Sequence, residues 1–166
     1  MSTDDACLAL VGVGSNLESP IDQVERAIQY IENHQSISLV KKSSLYRSCP
    51  QGPQDQDDFI NAVILISTEL TPVQLLTELQ HIEQSQGRVK TRHWGERIID
   101  LDILFYEQET IKETKPDLLV PHPQSLQRDF VLVPAIEIAP DWLLPDGRAL
   151  KLLLNQCISH QLERVS

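Results

Sequence analysis

Two segments of this chain open with the same helix-start grammar, and each follows a short apolar run. Ser19-Pro20-Ile21-Asp22 sets out an N-cap residue, a first-turn proline and an acid three positions on; Thr71-Pro72-Val73-Gln74 repeats the pattern with an amide. Ahead of the first, residues 7–13 form an apolar run that ends at Gly14 and reads as a buried strand. Ahead of the second, residues 59–67 read as another strand. Past the two starts, Ile21, Val24, Ile28 and Ile31 mark one helical face, and Leu75, Leu76, Leu79 and Ile82 mark the other, with Gly87 as a C-terminal stop. Residues 36–48 are β-branched and alternating, and residues 98–106 make a further strand.

The order is therefore strand, helix, strand, strand, helix, strand. It predicts an α+β domain with a ferredoxin-like βαββαβ core, in which helices cover one face of an antiparallel sheet. A C-terminal extension follows, with a minor hairpin in residues 107–119 and a short helix over 131–139 interrupted by Pro134. Leu150, Leu153, Leu154, Cys157 and Ile158 suggest a closing amphipathic helix. A chain of 166 residues suits one domain, 1–166, with one sizeable core.

The charge pattern narrows the partners. A net charge of −10 disfavours nucleic acid as a partner, yet four of the 14 Lys and Arg residues (Arg88, Lys90, Arg92 and Arg97) fall within ten positions, with His93 among them. Such focusing suits a small anionic ligand, although it also fits a solvated basic loop. No run of 18 apolar residues predicts a membrane span, and the acidic N-terminus lacks the features of a secretory signal, so a cytoplasmic protein is expected. Cys7, Cys49 and Cys157 are far apart, which argues against a disulfide framework or a zinc site.

The strongest local chemical signal is Asp100-Leu101-Asp102. On a strand its two acids share one side, while Ile99, Leu101, Ile103 and Phe105 point to the other. Adjacent carboxylates repel each other, and a divalent cation relieves that repulsion; ligation by oxygen alone suits Mg²⁺ completed by substrate phosphates. Two exposed acids on a half-wet strand are the plain alternative, but the neighbouring basic cluster supplies what phosphoryl transfer needs. Phe59 and Asn61 share another strand face, a ring beside an amide that both donates and accepts, and this suits a flat heterocycle as well as an ordinary core-and-surface pair. Trp94, in a charged loop with Gly95, either caps the surface or closes over a ligand. His122 is held stiffly between Pro121 and Pro123. Gly12-Val13-Gly14-Ser15-Asn16-Leu17 has Leu17 at the third glycine position of a dinucleotide fingerprint, so that reading is rejected; the glycines suit a tight turn and close backbone approach.

Taken together, these segments resemble the 6-hydroxymethyl-7,8-dihydropterin pyrophosphokinase family. The motifs are Gly14-Ser15-Asn16-Leu17, the stretch from Ser48 through Gln51 to Ala62, Gly87-Arg88 through Trp94-Gly95-Glu96-Arg97 to Asp100-Leu101-Asp102-Ile103-Leu104, Val120-Pro121-His122-Pro123, and Arg128-Asp129-Phe130-Val131-Leu132. The likeness spans residues 8–147, and the linked set is far more specific than the paired acids alone.

The resemblance implies transfer of pyrophosphate from ATP, as co-substrate, to the pterin hydroxymethyl group. Asp100 and Asp102 would hold two Mg²⁺ ions and, with Arg88 and Arg97, form the catalytic set. Arg88, Lys90, Arg97, His122 and Arg128 would contact phosphates or nucleotide, with Gln80, Trp94 and Ile103 near it. Phe59 and Phe130 would sandwich the pterin; Asn61 and the backbone around Ser48, Cys49 and Gln51 would read its edge, and Trp94 would close over it. No residue stands out as a general base. The expected partners are these small molecules only, bound by a monomer, with neither nucleic acid nor membrane. His93, Lys90, Glu96 and Cys49 depart from the family's usual residues; none of the four is a metal ligand. A transferase acting on another nucleotide substrate and a non-catalytic nucleotide- or pterin-binding module are the competing classes.

Overall fold

The computed structural model describes residues 6–17, 19–49, 56–86, 98–157 and 162–165. Strand β1 (Cys7–Ser15) leads to helix α1 (Pro20–Glu32), then β2 (Ile37–Lys42), β3 (Tyr46–Ser48), β4 (Phe59–Thr68), α2 (Pro72–Ser85) and β5 (Asp100–Tyr106). A hairpin of β6 (Ile111–Thr114) and β7 (Asp117–Val120) follows, then a 3-10 turn (Pro123–Gln127), α3 (Asp129–Ile138), a second 3-10 segment (Leu150–Gln156) and β8 (Glu163–Arg164). The main sheet runs β5-β1-β4-β3-β8, with β2 pairing the other half of β4, and every pairing is antiparallel. β4 is thus inserted between β1 and β2, and β1 between β4 and β5, which is the ferredoxin-like arrangement predicted from element order.

Helix α2 begins as its residues dictate. Thr71 Oγ1 accepts the Gln74 N–H (3.2 Å) and Gln74 Oε1 accepts the Thr71 N–H (2.9 Å), a complete capping box. α1 differs from expectation, because Ser19 lies in the left-handed region (φ 61) and its side chain caps nothing. Ile21, assigned to the buried face, is 38% exposed, and Gln23 is buried beside Val24 instead.

One core lies between the sheet and α1 and α2, where Val24, Ile31, Leu75 and Leu79 meet Ile60, Ile64, Ile66 and Leu101. The opposite face is also covered. Leu10, Val63, Leu104 and Phe105 pack there against Val131, Leu132 and Ala135 of α3 and against Trp142 and Leu150. The sheet therefore has two apolar faces, and β1 and β4 are buried along most of their length.

A bulge corrects the reading of β5. Leu10 pairs with Phe105 and Val11 with Ile103, so Leu104 is an extra residue. Past it the side chains swap faces, and Phe105 joins the α3-side core at 6.3 Å from the Trp142 ring. The alternating stretch 36–48 is broken at Ser43, whose Oγ accepts the Val63 N–H (2.9 Å), and two strands result. The closing helix is 3-10: buried Leu150 and Leu153 are three apart, while Leu154 turns outward. α3 continues through Pro134, whose buried ring lies in the apolar layer.

Glu137 ties α3 to the sheet. It accepts from Tyr46 Oη (2.6 Å), Ser44 Oγ (2.9 Å) and the Ser44 N–H. Burial, then the bond to Glu137, pushes the Tyr46 hydroxyl up to about 12. Burial raises Glu137 itself, but the Tyr46 and Ser44 hydrogen bonds outweigh it and hold the carboxyl below 4.5. A depressed carboxyl adds stability above its unfolded pKa and loses it as pH falls through the folded one. Because Glu137 is exposed, Glu137→Gln should cost only about 1 kcal/mol at neutral pH. Urea melts should find that difference shrinking as the pH falls from the usual carboxylate range through the depressed folded value.

Candidate active site

The α3-side face of the sheet carries a cavity of ≈ 250 Å³ toward the end of β1 and the start of β4. That volume sits just below the usual range for drug-sized ligands and suits one heterocycle. Its floor follows from strand register. Gly14 lies between Asn61 of β4 and Asp100 of β5, and Gly12 lies between Val63 and Asp102. Two consecutive rows thus read Asn61–Gly14–Asp100 and Val63–Gly12–Asp102. Because the glycines are two apart on a strand, both face the cavity and lower its floor into a shallow trough, with the Leu104 side chain 3.4 Å from where a Gly12 Cβ would stand. The trough separates an amide from a pair of carboxylates across two strand spacings, about 10 Å.

The amide is held before any ligand arrives. Asn61, 8% exposed, donates through Nδ2 to Ser48 Oγ (2.7 Å). A Cβ at position 14 would stand 3.1 Å from Asn61 Oδ1, so of the two expected uses of this glycine, a tight turn and a close approach, it is a close approach, here to a side chain, that the strand presents. Phe59 lies half-buried on the same strand face, two residues before Asn61. The segment leading into Phe59 is anchored by Asn16, whose Nδ2 donates to Gln56 Oε1 (2.8 Å) and the Asp57 carbonyl (3.1 Å).

Phe130 and Arg128 form the facing wall, at the start of α3. The Arg128 guanidinium carbon lies 5.7 Å from the Phe130 ring centroid, and Nη2 donates to Gln124 Oε1 (2.9 Å). Burial lowers the Arg128 pKa, against the pull of Asp102 and Asp100.

The carboxylates complete the site. Burial pushes Asp102 well above its usual 3.8, followed by the charge of Asp100, a hydrogen bond with it, and Glu83; Arg128 acts the other way. Asp102 remains open to solvent in the cavity while protein surrounds it at longer range, so it is accessible and poorly solvated together. A hydrogen bond between two carboxyls needs a proton on one of them, and a divalent cation relieves the same repulsion. Among the described residues no third His, Cys, Asp or Glu joins the pair. Two acids with room for further oxygens fit Mg²⁺, which takes few protein ligands and completes its shell with water and phosphate.

Eight predicted residues therefore line one cavity: Ser48, Cys49, Phe59, Asn61, Asp100, Asp102, Arg128 and Phe130. Three stand apart from its wall. Gln80 is exposed on α2, and Ile103 is buried in the helix-side core, so only its backbone faces outward from β5. His122 is exposed and accepts the Gln124 N–H at Nδ1 (3.2 Å), which leaves Nε2 as the proton-bearing nitrogen of the neutral ring. Gln51, Arg88, Lys90, Trp94 and Arg97, with Gly87, His93, Gly95 and Glu96, lie outside the described residues. The trough was missed from sequence, although the Gly-x-Gly spacing on a strand carries its signal.

Comparison with known proteins points one way. The model of the family described as 7,8-dihydro-6-hydroxymethylpterin-pyrophosphokinase matches residues 10–140. A 2-amino-4-hydroxy-6-hydroxymethyldihydropteridine pyrophosphokinase of Haemophilus influenzae is 45% identical over 158 residues, covering 95% of this chain and 98% of the relative. One of Pseudomonas aeruginosa is 44% identical over 155 residues, 93% of this chain and 94% of that one. Among solved structures, a Plasmodium falciparum HPPK-DHPS with pteroate superposes with a TM-score of 0.72 over 90% of this chain. This chain spans 42% of that longer one at 13% identity, so the likeness is one of fold.

Proposed function

The chain belongs to the 7,8-dihydro-6-hydroxymethylpterin-pyrophosphokinase family, and from that premise we propose that it moves pyrophosphate from ATP to the hydroxymethyl oxygen of 6-hydroxymethyl-7,8-dihydropterin, in folate synthesis. The hydroxymethyl oxygen bonds to the β-phosphorus and gives up its proton to water, the bond from the β-phosphorus to the α–β bridging oxygen breaks, and AMP leaves with that oxygen. The observation that carries the reading is the pair of rows Asn61–Gly14–Asp100 and Val63–Gly12–Asp102, which set the Asn61 amide opposite two carboxylates across a floor of glycines.

Phe59 and Phe130 stack on the pterin while Asn61, fixed by Ser48, reads its edge beside Cys49 and Gln51. Asp100 and Asp102 hold Mg²⁺, two ions with ATP bound, whose chemistry when present is to neutralise and align phosphate oxygens. Arg128, held against Phe130 and Gln124, contacts the phosphates, and His122 donates to them from Nε2. Arg88 and Arg97 stabilise the charge on the transferring group, with Lys90, Gln80 and the Ile103 backbone at the nucleotide, and Trp94 closes over both substrates. The protein works as one domain, a cytoplasmic monomer without nucleic acid; among the described residues no helix is long and apolar enough to cross a membrane.

The test mixes the protein with ATP, Mg²⁺ and 6-hydroxymethyl-7,8-dihydropterin and follows AMP. No AMP beyond an Asp100→Asn control, or activity indifferent to chelation, overturns the reading. A subtler check is Gly14→Ala. Its methyl group must displace Asn61 Oδ1, held by Ser48, so pterin Kd should rise about fivefold, roughly 1 kcal/mol. Nucleotide affinity should stay unchanged.

A further inference from the structure

Glu83 is a buried acid at the C-terminal end of a helix. It is 5% exposed in the last turn of α2, where the helix macrodipole presents its negative end and no basic residue follows within the turn. Its Oε2 accepts the backbone N–H of Leu101 at 2.7 Å. Leu101 is the residue between Asp100 and Asp102, on the sheet's edge strand, where alternate N–H groups turn away from the neighbouring strand. A carboxylate bond to a buried amide is short, charge-assisted and directional.

We propose that Glu83 is a positioning residue for the carboxylate pair: by clamping the Leu101 amide it fixes the peptide units on either side, and with them the direction in which Asp100 and Asp102 present their oxygens. The Leu101 side chain is held in the helix-side core together with Leu79 and Ile82. The peptide is thus anchored twice from the α2 side, by an apolar contact and by a hydrogen bond, while the two acids project from the other face. Left unclamped, the end of an edge strand frays, and a cation whose ligand geometry is strict binds a fraying pair poorly. The inference rests on the reading that Asp100 and Asp102 hold the cation.

The test titrates Mn²⁺ into the full-length protein with a non-hydrolysable ATP analogue and reads bound metal by electron paramagnetic resonance, so turnover is not needed. Glu83→Ala should weaken Mn²⁺ about tenfold, and Glu83→Gln, which keeps an acceptor for the amide, should recover to within about threefold of the parent. Hydrogen exchange of the Leu101 amide in the unaltered protein should be slow, and faster in Glu83→Ala than in Glu83→Gln. Unchanged Mn²⁺ affinity in Glu83→Ala despite a lower melting temperature makes Glu83 merely structural and overturns the proposal. Equal losses in the Ala and Gln variants overturn it as well, because charge and not the hydrogen bond would then matter. If Glu83→Ala does not fold, fast exchange of Leu101 in the unaltered protein still sinks it. Asp100→Asn separates the two claims: if it too leaves Mn²⁺ binding intact, the cation reading fails, whereas if it alone abolishes binding, only the role of Glu83 fails.

Discussion

Asp102→Asn should cut kcat/KM for pyrophosphate transfer about 10³-fold, about 4 kcal/mol of transition-state stabilisation, and at the same time stabilise the metal-free protein. The two effects share one cause. Asp102 and Asp100 face the same cavity, and burial followed by the Asp100 charge makes an ionised Asp102 costly. A cation against the pair would offset that cost beyond what Arg128 does, so an amide should gain in its absence and lose in its presence. The pH dependence has a definite sign. A carboxyl whose folded pKa exceeds its usual 3.8 binds more protons folded than unfolded, so stability falls as pH rises from there through the folded value. An amide has no such dependence. In melts under chelator the variant should exceed the parent at about pH 8, with the gap closing toward about pH 4. A loss of activity below tenfold, or a gap indifferent to pH, contradicts the assignment.

Phe59→Ala should raise the pterin Kd about 10- to 100-fold, the equivalent of roughly 1–3 kcal/mol for a lost stacking surface. Because Phe59 is half-buried and lies at the start of β4, its removal should leave the fold nearly as stable. ATP-analogue affinity should move less than about twofold, since neither the carboxylates nor Arg128 is touched. Phe130→Ala should behave differently. Phe130 also packs the Arg128 guanidinium at 5.7 Å, so its loss should weaken pterin and nucleotide together. Calorimetric titration of each ligand into each variant reads the contrast. Equal effects of the two substitutions on ATP-analogue binding would remove the ground for treating Arg128 as part of the phosphate site.

The part of this protein legible from sequence is the part carried by short-range regularities. Alternation by two on a strand puts Asp100 and Asp102 on one side, and Phe59 and Asn61 on one side, whatever the rest of the chain does. The switch between periods of two and 3.6, with the capping box at Thr71, gives the βαββαβ order. The linked motifs named the family, and the comparisons bear that out.

Other features arise only when distant segments meet. Nothing local in Gly12-Val13-Gly14 says that β1 will lie between β4 and β5, yet that placement turns two glycines into the floor between the amide and the acids. Nothing near Leu101 says that its amide will be met from α2 by Glu83, 18 positions earlier. The bulge at Leu104 is a property of the β1–β5 pairing, and it alone sends Phe105 to the face opposite its expected side. The second apolar face of the sheet exists because α3 and the 3-10 segments fold back over it. Local periodicity states which residues share a face. Which faces meet, and in what register, is set by pairing and packing between segments far apart in the chain, and there the tertiary structure alone decided.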